Sequence, residues 1–248
     1  MSVQRIGNEI VWLHKVDSTN LYAEKYVSDD CAHGVVVATT NQTQGRGQRG
    51  NQWESKAGEN LLFSIVLKPS FLLVHKQFLI SKITALAIVE FLSNYTNGLS
   101  IKWPNDIYVN SSKISGVLIE NSFHSEYLDT TIVGIGININ QTEFSDDLPN
   151  PTSLAVESGK KYQLQSLLQE FCQIFQKHYD ALQLDSVGEI SHSYFDKLFR
   201  SDGYSNYNAS GQTFRARIIG VRDTGELVLE TESGERKEFA FKEVSFVI

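Results

Sequence analysis

The stretch Thr39-Thr40-Asn41-Gln42-Thr43-Gln44-Gly45-Arg46-Gly47-Gln48-Arg49-Gly50-Asn51-Gln52-Trp53-Glu54-Ser55 decides how the rest of the chain is read. Two apolar runs, 34–39 and 60–67, flank it. Glycines at this density allow positive φ and bring backbone close to a ligand. Exposed N–H groups beside the guanidinium groups of Arg46 and Arg49 make a seat for phosphate or carboxylate oxygens. A glycine-rich loop alone is most often a plain surface hairpin. Here Trp53 and the flanking polar residues turn the reading towards an anion-binding loop.

Gly45-x-Gly47-x-x-Gly50 formally fits the dinucleotide fingerprint, which requires a strand before the glycines and a helix after them. The strand is present at 34–39, but 60–67 (Asn60-Leu61-Leu62-Phe63-Ser64-Ile65-Val66-Leu67) is a second β-like run. A Rossmann site is therefore not expected. No Gly-Lys-Ser/Thr ends the motif, which excludes a Walker A loop. A kinase loop would need His-Arg-Asp and Asp-Phe-Gly, and neither occurs.

The 248 residues can form one large domain or a medium domain with a small appendage. A net charge of −7 argues against a nucleic-acid partner, which requires a basic face. Cys31 and Cys172 have neither metal-ligand nor redox spacing and read as free thiols. The N-terminus lacks an apolar signal region, and no run is long enough to span a bilayer. These features point to a cytoplasmic protein.

Residues 9–16 alternate as a strand, and Asp17-Ser18-Thr19-Asn20 leads into a helix. As plain structure Ser18 and Thr19 are cap residues; as function, their hydroxyls can hold a ligand's polar ring. Apolar residues at helical spacing predict a long helix over 75–95, stopped by Asn97-Gly98. Residues 101–109 and 114–120 read as two antiparallel strands, with a bulge or an edge expected at Pro104. Lys113 starts the second of these beside Gly116, where a ligand could approach the sheet. Residues 127–140 form a further strand ending in Gly134-Ile135-Gly136-Ile137-Asn138. Pro149 and Pro151 punctuate a loop into a short helix, and helical periodicity returns over 164–182 and 190–199. Beyond residue 207, short strands separated by Asp223-Thr224-Gly225 and Ser233-Gly234 predict a small all-β barrel of about five strands. The expected division is 1–207 and 208–248.

Five motifs together resemble the biotin–protein ligases (biotin–[acetyl-CoA-carboxylase] ligases), in the short form without a DNA-binding domain. They are Asp17-Ser18-Thr19-Asn20, Gln42-x-x-Gly45-Arg46-Gly47-x-x-Gly50-x-x-Trp53, Lys102-Trp103-Pro104-Asn105-Asp106, Lys113-x-x-Gly116 and Gly134-x-Gly136-x-Asn138. The resemblance implies an α/β (α+β) catalytic domain related to class II aminoacyl-tRNA synthetases, with helices on a mixed sheet, and a C-terminal SH3-like β-barrel. It implies ATP and biotin as substrates, Mg²⁺, and a biotin carboxyl carrier domain of acetyl-CoA or a related carboxylase as partner. Neither nucleic acid nor membrane is expected, no helix-turn-helix precedes Glu9, and a homodimer is compatible with the resemblance.

By the same resemblance Ser18, Thr19, Asn20, Gln42, Gly45, Arg46, Gly47, Gln48, Lys113 and Gly116 bind biotin. Arg46, Gln48, Arg49, Trp53, Asn105, Asp106, Lys113 and Asn138 bind ATP or the adenylate, and Lys113 and Arg46 are catalytic. One position departs from the family: Gln48 stands where most members carry arginine. It keeps hydrogen-bonding capacity but loses the charge and the bidentate fork. Two other readings remain, a lipoate or octanoate ligase or transferase of similar fold and a catalytically weak biotin-binding protein.

Overall fold

Strand β3 (Leu61–Leu67) is buried along its whole length, so both of its faces must be covered. In this computed structural model, which describes residues 5–28 and 32–247, both are. Side chains alternate across a strand. Leu61, Phe63, Ile65 and Leu67 enter the main core, while Val66 joins a smaller cluster around Ala23 of helix α1 (Thr19–Ala23).

Six more strands complete the sheet: β1 (Ile10–Leu13), β2 (Val36–Thr39), β4 (Leu99–Lys102), β5 (Asp106–Val109), β6 (Ser112–His124) and β7 (Tyr127–Ile137). Their order is β1-β2-β3-β7-β6-β5-β4, parallel between β1 and β2 and antiparallel elsewhere, so the sheet is mixed. The 101–109 run is two strands rather than one. Pro104 has no N–H for a ladder, so the chain turns there and β4 pairs back on β5 at the sheet's edge. The bulge lies further on, where the β5–β6 register shifts between Ile107 and Tyr108.

Helix α2 (Phe78–Ser93) is apolar on nearly every side because it is enclosed between the sheet and helices α4 (Leu164–Gln183) and α5 (Val187–Asp196). Helix α4 buries Leu167, Leu168, Phe171, Phe175 and Tyr179. Cys172 is a free, buried thiol whose pKa burial pushes up to about 12, which leaves it inert; Cys31 lies outside the described residues. The short helix α3 (Leu154–Ser158) starts at Ser153, whose hydroxyl accepts from the Val156 N–H at 3.2 Å.

The C-terminal strands are β8 (Tyr204–Ala209), β9 (Gln212–Val221), β10 (Leu227–Thr231), β11 (Arg236–Phe239) and β12 (Val244–Phe246). They form an antiparallel sheet in the order β11-β10-β9-β8-β12, five strands as the turn spacing predicts. Among the described residues no strand pair joins β11 to β12, so the sheet is open rather than a closed barrel. Its β9–β10 turn docks on the first unit. Trp103 Nε1 donates to Gly225 O at 2.8 Å, and Lys82 Nζ, 2% exposed, reaches Asp223 Oδ1 at 3.1 Å and Ser191 Oγ at 3.0 Å.

Candidate active site

Register places the glycines. On the face of the sheet that carries α1, Asp106, Gly116, Gly136 and Leu62 stand in one row across β5, β6, β7 and β3. The next row runs through Leu118, Gly134 and Ser64. The bare floor so formed is covered by the chain's own side chains. A Cβ at Gly116 would meet the Trp53 ring at 2.8 Å, and one at Gly136 would meet it at 2.4 Å. A Cβ at Gly134 would lie 2.1 Å from Asn20 Oδ1. The sequence suggested close approach of a ligand here; in the structure it is Trp53 and Asn20 that approach.

The glycine loop joins β2 to β3 and is tied at both ends. Gln42 Oε1 accepts from the Thr19 N–H at 2.8 Å, and the buried Asn60 donates to Gln141 Oε1 at 2.7 Å. Within the loop, Gly47 N donates to Asn51 O and Trp53 N to Gly45 O, around a 3-10 turn at Gln48–Gly50. Gly45 needs its missing Cβ, since one there would sit 2.3 Å from Trp53 O.

The result is a cavity of 570 Å³, within the ordinary range for small-molecule sites. Of the residues singled out from sequence, Ser18, Thr19, Asn20, Gln42, Arg46, Gly47, Gln48, Trp53, Asn105, Asp106, Lys113 and Gly116 all line it. Gly45 and Asn138 do not. Gly45 shapes the loop from behind, and Asn138 donates from Nδ2 to Thr152 O at 3.0 Å, pinning the segment that leads into α3. The Arg49 side chain lies outside the described residues. Ser18 precedes α1 in extended conformation and makes no side-chain cap, so the plain capping role does not account for it.

Two of the cations that line the cavity hold carboxylates. Lys113 Nζ is 2.6 Å from Asp106 Oδ1 and 5.6 Å from the Trp53 ring centroid. Arg46 Nη2 donates to Glu120 Oε1 at 2.9 Å. Asn105 fixes the turn before β5, donating from Nδ2 to Val117 O at 2.8 Å. Among the described residues no group of three or more His, Cys, Asp or Glu side chains converges. The two carboxylates, each on its own cation, do not make a cage for a metal ion.

Several lining or supporting residues escaped the sequence reading. Ser64 and Glu120 belong to the polar floor, and their signal was polarity interrupting an apolar strand. Lys102, quoted in its motif but given no role there, donates from Nζ to Tyr108 OH at 2.9 Å and stands with Phe241, Lys242 and Phe246 of the C-terminal unit along the cavity wall. Nothing local in 241–246 marks that wall. Among the described residues no helix is long and apolar enough to cross a membrane.

The profile of the Biotin/lipoate A/B protein ligase family matches residues 12–138. The chain is 28% identical over 246 residues to the bifunctional ligase/repressor BirA of Bacillus spizizenii, covering 97% of this chain and 75% of that protein. It is 26% identical over 232 residues to the biotin–[acetyl-CoA-carboxylase] ligase of Paracoccus denitrificans, covering 90% of this chain and 95% of that one. Its fold is similar to the biotin protein ligase of Aquifex aeolicus solved in complex with biotin and ATP, with a TM-score of 0.75 at 27% identity, covering 96% of this chain and 98% of that one.

Proposed function

This chain belongs to the biotin/lipoate A/B protein ligase family, and from that membership we propose that it uses ATP to join biotin to a lysine of a biotin carboxyl carrier protein. One observation supports the reading above the rest. Arg46 and Lys113 line a single cavity together with Trp53 and the polar cluster of Ser18, Thr19 and Gln42. Adenylation must bring two anions, a carboxylate and a phosphate, within bonding distance, and that requires preorganised cations.

In the first step biotin's carboxylate oxygen attacks the α-phosphorus of ATP. The bond to the bridging oxygen of the β-phosphate breaks, and pyrophosphate leaves biotinyl-5′-AMP behind. In the second, the neutral carrier amine attacks the acyl carbon, AMP departs with the bonding pair, and the nitrogen gives up a proton. Lys113 exchanges Asp106 for the junction of the two anions, and Arg46 to Gln48 fold over carboxylate and phosphate. Ser18, Thr19, Asn20, Gln42 and Gly116 hold biotin's ring and its surroundings. Trp53 and Asn105 bound the nucleotide side, and Asn138 acts from behind through the segment it pins. Magnesium, if bound with ATP, would offset the charge of its phosphates beside Lys113 and Arg46.

The division into a catalytic unit at 1–207 and a small unit at 208–248 is part of this reading, with β8 (Tyr204–Ala209) spanning the boundary. So are the kinship of the large sheet with class II synthetases, an SH3-like class for the open C-terminal sheet, a cytoplasmic setting and the absence of nucleic acid as a partner. A homodimer is compatible with it. The test is mass spectrometry of a carrier domain after incubation with the chain, ATP, Mg²⁺ and either biotin or lipoate. A mass gain of one biotinyl group is expected. A lipoyl gain would move the chain to the other branch of its family, and no gain with either acid would sink the reading.

A further inference from the structure

The row of side chains that faces the cavity along β6 does not stop at Gly116. With a period of two it continues through Leu118 to Glu120. Glu120 holds two groups at once. Its Oε2 accepts from Asn20 Nδ2 at 2.7 Å, and its Oε1 accepts from Arg46 Nη2 at 2.9 Å.

The Asn20 end of this bridge has only one orientation. Asn20 is 3% exposed, and its Oδ1 accepts from Ser64 Oγ at 2.6 Å. Its Nδ2 also donates to Leu118 O at 3.3 Å, so both ends of the amide have partners. An amide turned round would set its oxygen against two acceptors, the Leu118 carbonyl and the Glu120 carboxylate. Gly134 supplies the space in which the amide sits. One Glu120 oxygen is therefore fixed by a buried donor, and the other is presented to Arg46.

Exposed ion pairs are usually worth little, because two long side chains must be ordered together. Here one partner is ordered before the other arrives. Arg46 also sits between Gly45 and Gly47, where the backbone lends little stiffness of its own. The guanidinium has five N–H donors, and the bridge uses one Nη.

We propose that Glu120 is the positioning residue for Arg46: anchored by Asn20, its carboxylate sets the guanidinium over the cavity and orders the glycine loop that carries it. The proposal rests on the ligase reading for its kinetic consequence but not for its structural one.

Glu120→Gln is the natural variant. It is isosteric but has one oxygen and one NH₂ where two donors approach, so one of the two contacts must fail. Hydrogen exchange over 43–53, measured without ligands, is expected to quicken about tenfold in E120Q, the scale of one lost charge-assisted bond. Arg46→Ala, which leaves the Asn20–Glu120 contact in place, should quicken it equally. In biotin-dependent pyrophosphate exchange, kcat/KM for biotin should fall about tenfold in E120Q. In an R46A background the same change should cost less than about twofold, because a residue acting through Arg46 has nothing left to position. Multiplying kinetic effects, or loop exchange unchanged in both E120Q and R46A, would overturn the proposal. If E120Q does not fold, R46A alone decides through the loop. If the wild type shows no biotin-dependent exchange of pyrophosphate, the ligase reading fails, and hydrogen exchange still judges the Glu120–Arg46 link.

Discussion

Lys82 and Lys113 each hold an aspartate, at 3.1 Å and 2.6 Å, yet 2% of the Lys82 side chain is exposed against 33% of Lys113. Lys82 sits where α2, α5 and the β9–β10 turn meet, and its ammonium joins Ser191 and Asp223 across that junction. Lys113 opens β6 at the cavity, with solvent access and the Trp53 ring beside it. The same pair of charges fastens parts together when it is enclosed and stays exchangeable when a cavity reaches it. Charge and partner do not distinguish the two; access does.

The comparison breaks first at Lys113. Lys113→Ala is expected to lower biotin-dependent pyrophosphate exchange at least ~10²-fold, as for removal of one charge-stabilising donor, with Tm within about 2 °C of the wild type. Near-normal exchange would make Lys113 a solvated strand-end charge after all. Lys82→Ala should do the reverse. Losing one partner of an enclosed pair is costly, but Asp223 is 42% exposed and rehydrates, so a loss of about 2 kcal/mol, roughly 4–8 °C in Tm, is expected, with kcat of the folded protein unchanged. A loss of turnover without a loss of Tm would show that the junction serves the chemistry.

Gln48 sharpens the comparison from the other side, since it is a cavity position that carries no charge. Gln48→Arg is expected to slow dissociation of biotinyl-AMP about fivefold, from the added strength of a charge-assisted bond. Equal rates in the wild type, Gln48→Arg and Arg49→Ala would mean that neither residue touches the phosphate. The smallest effect belongs to His33, an enclosed titratable group without the kind of close counter-ion that Lys82 has. Burial lowers its pKa below the usual 6.5, more than Asp180 raises it, and its Nδ1 accepts from the Lys68 N–H. The folded state therefore favours the neutral ring. That contribution is complete above the unfolded pKa and is lost as pH falls from about 6.5 through the lower folded value. Thermal melts from pH 7.5 to 5 should show a decline that His33→Phe flattens; an unchanged slope would assign it to other groups.

Much of this was legible in the sequence because it is local. The loop at 39–55, the apolar strands beside it and the long α2 follow from glycine density and periodicity, and Lys113 drew attention as a cation starting a strand. Pro104 signalled an interruption, although one residue could not say whether the chain would bulge or turn back. What escaped depends on which strands become neighbours. Glu120 is linked to Asn20, 100 positions away in the chain, only because the sheet order sets β6 beside β7 and β7 beside β3. Ser64 is the single polar residue in Leu61-Leu62-Phe63-Ser64-Ile65-Val66-Leu67, which marked it as unusual without saying what it would meet. Lys82 lay inside an apolar helix, and its partner belongs to a turn 141 positions on. The C-terminal strands were foreseen in number, but their share in the cavity wall was not, since that depends on docking between two separately patterned units.

The contact between Trp103 Nε1 and Gly225 O has a practical side. Trp103 lines the cavity, Gly225 belongs to the β9–β10 turn, and the indole ring also meets Phe241 at 6.3 Å. Anyone dividing the chain at residue 207, for a split reporter or a fusion, would cut through β8 and leave the indole without its acceptor and the cavity without a side. A tag inserted in the exposed β10–β11 turn around Gly234, which makes no such contact, is the safer place to attach a handle.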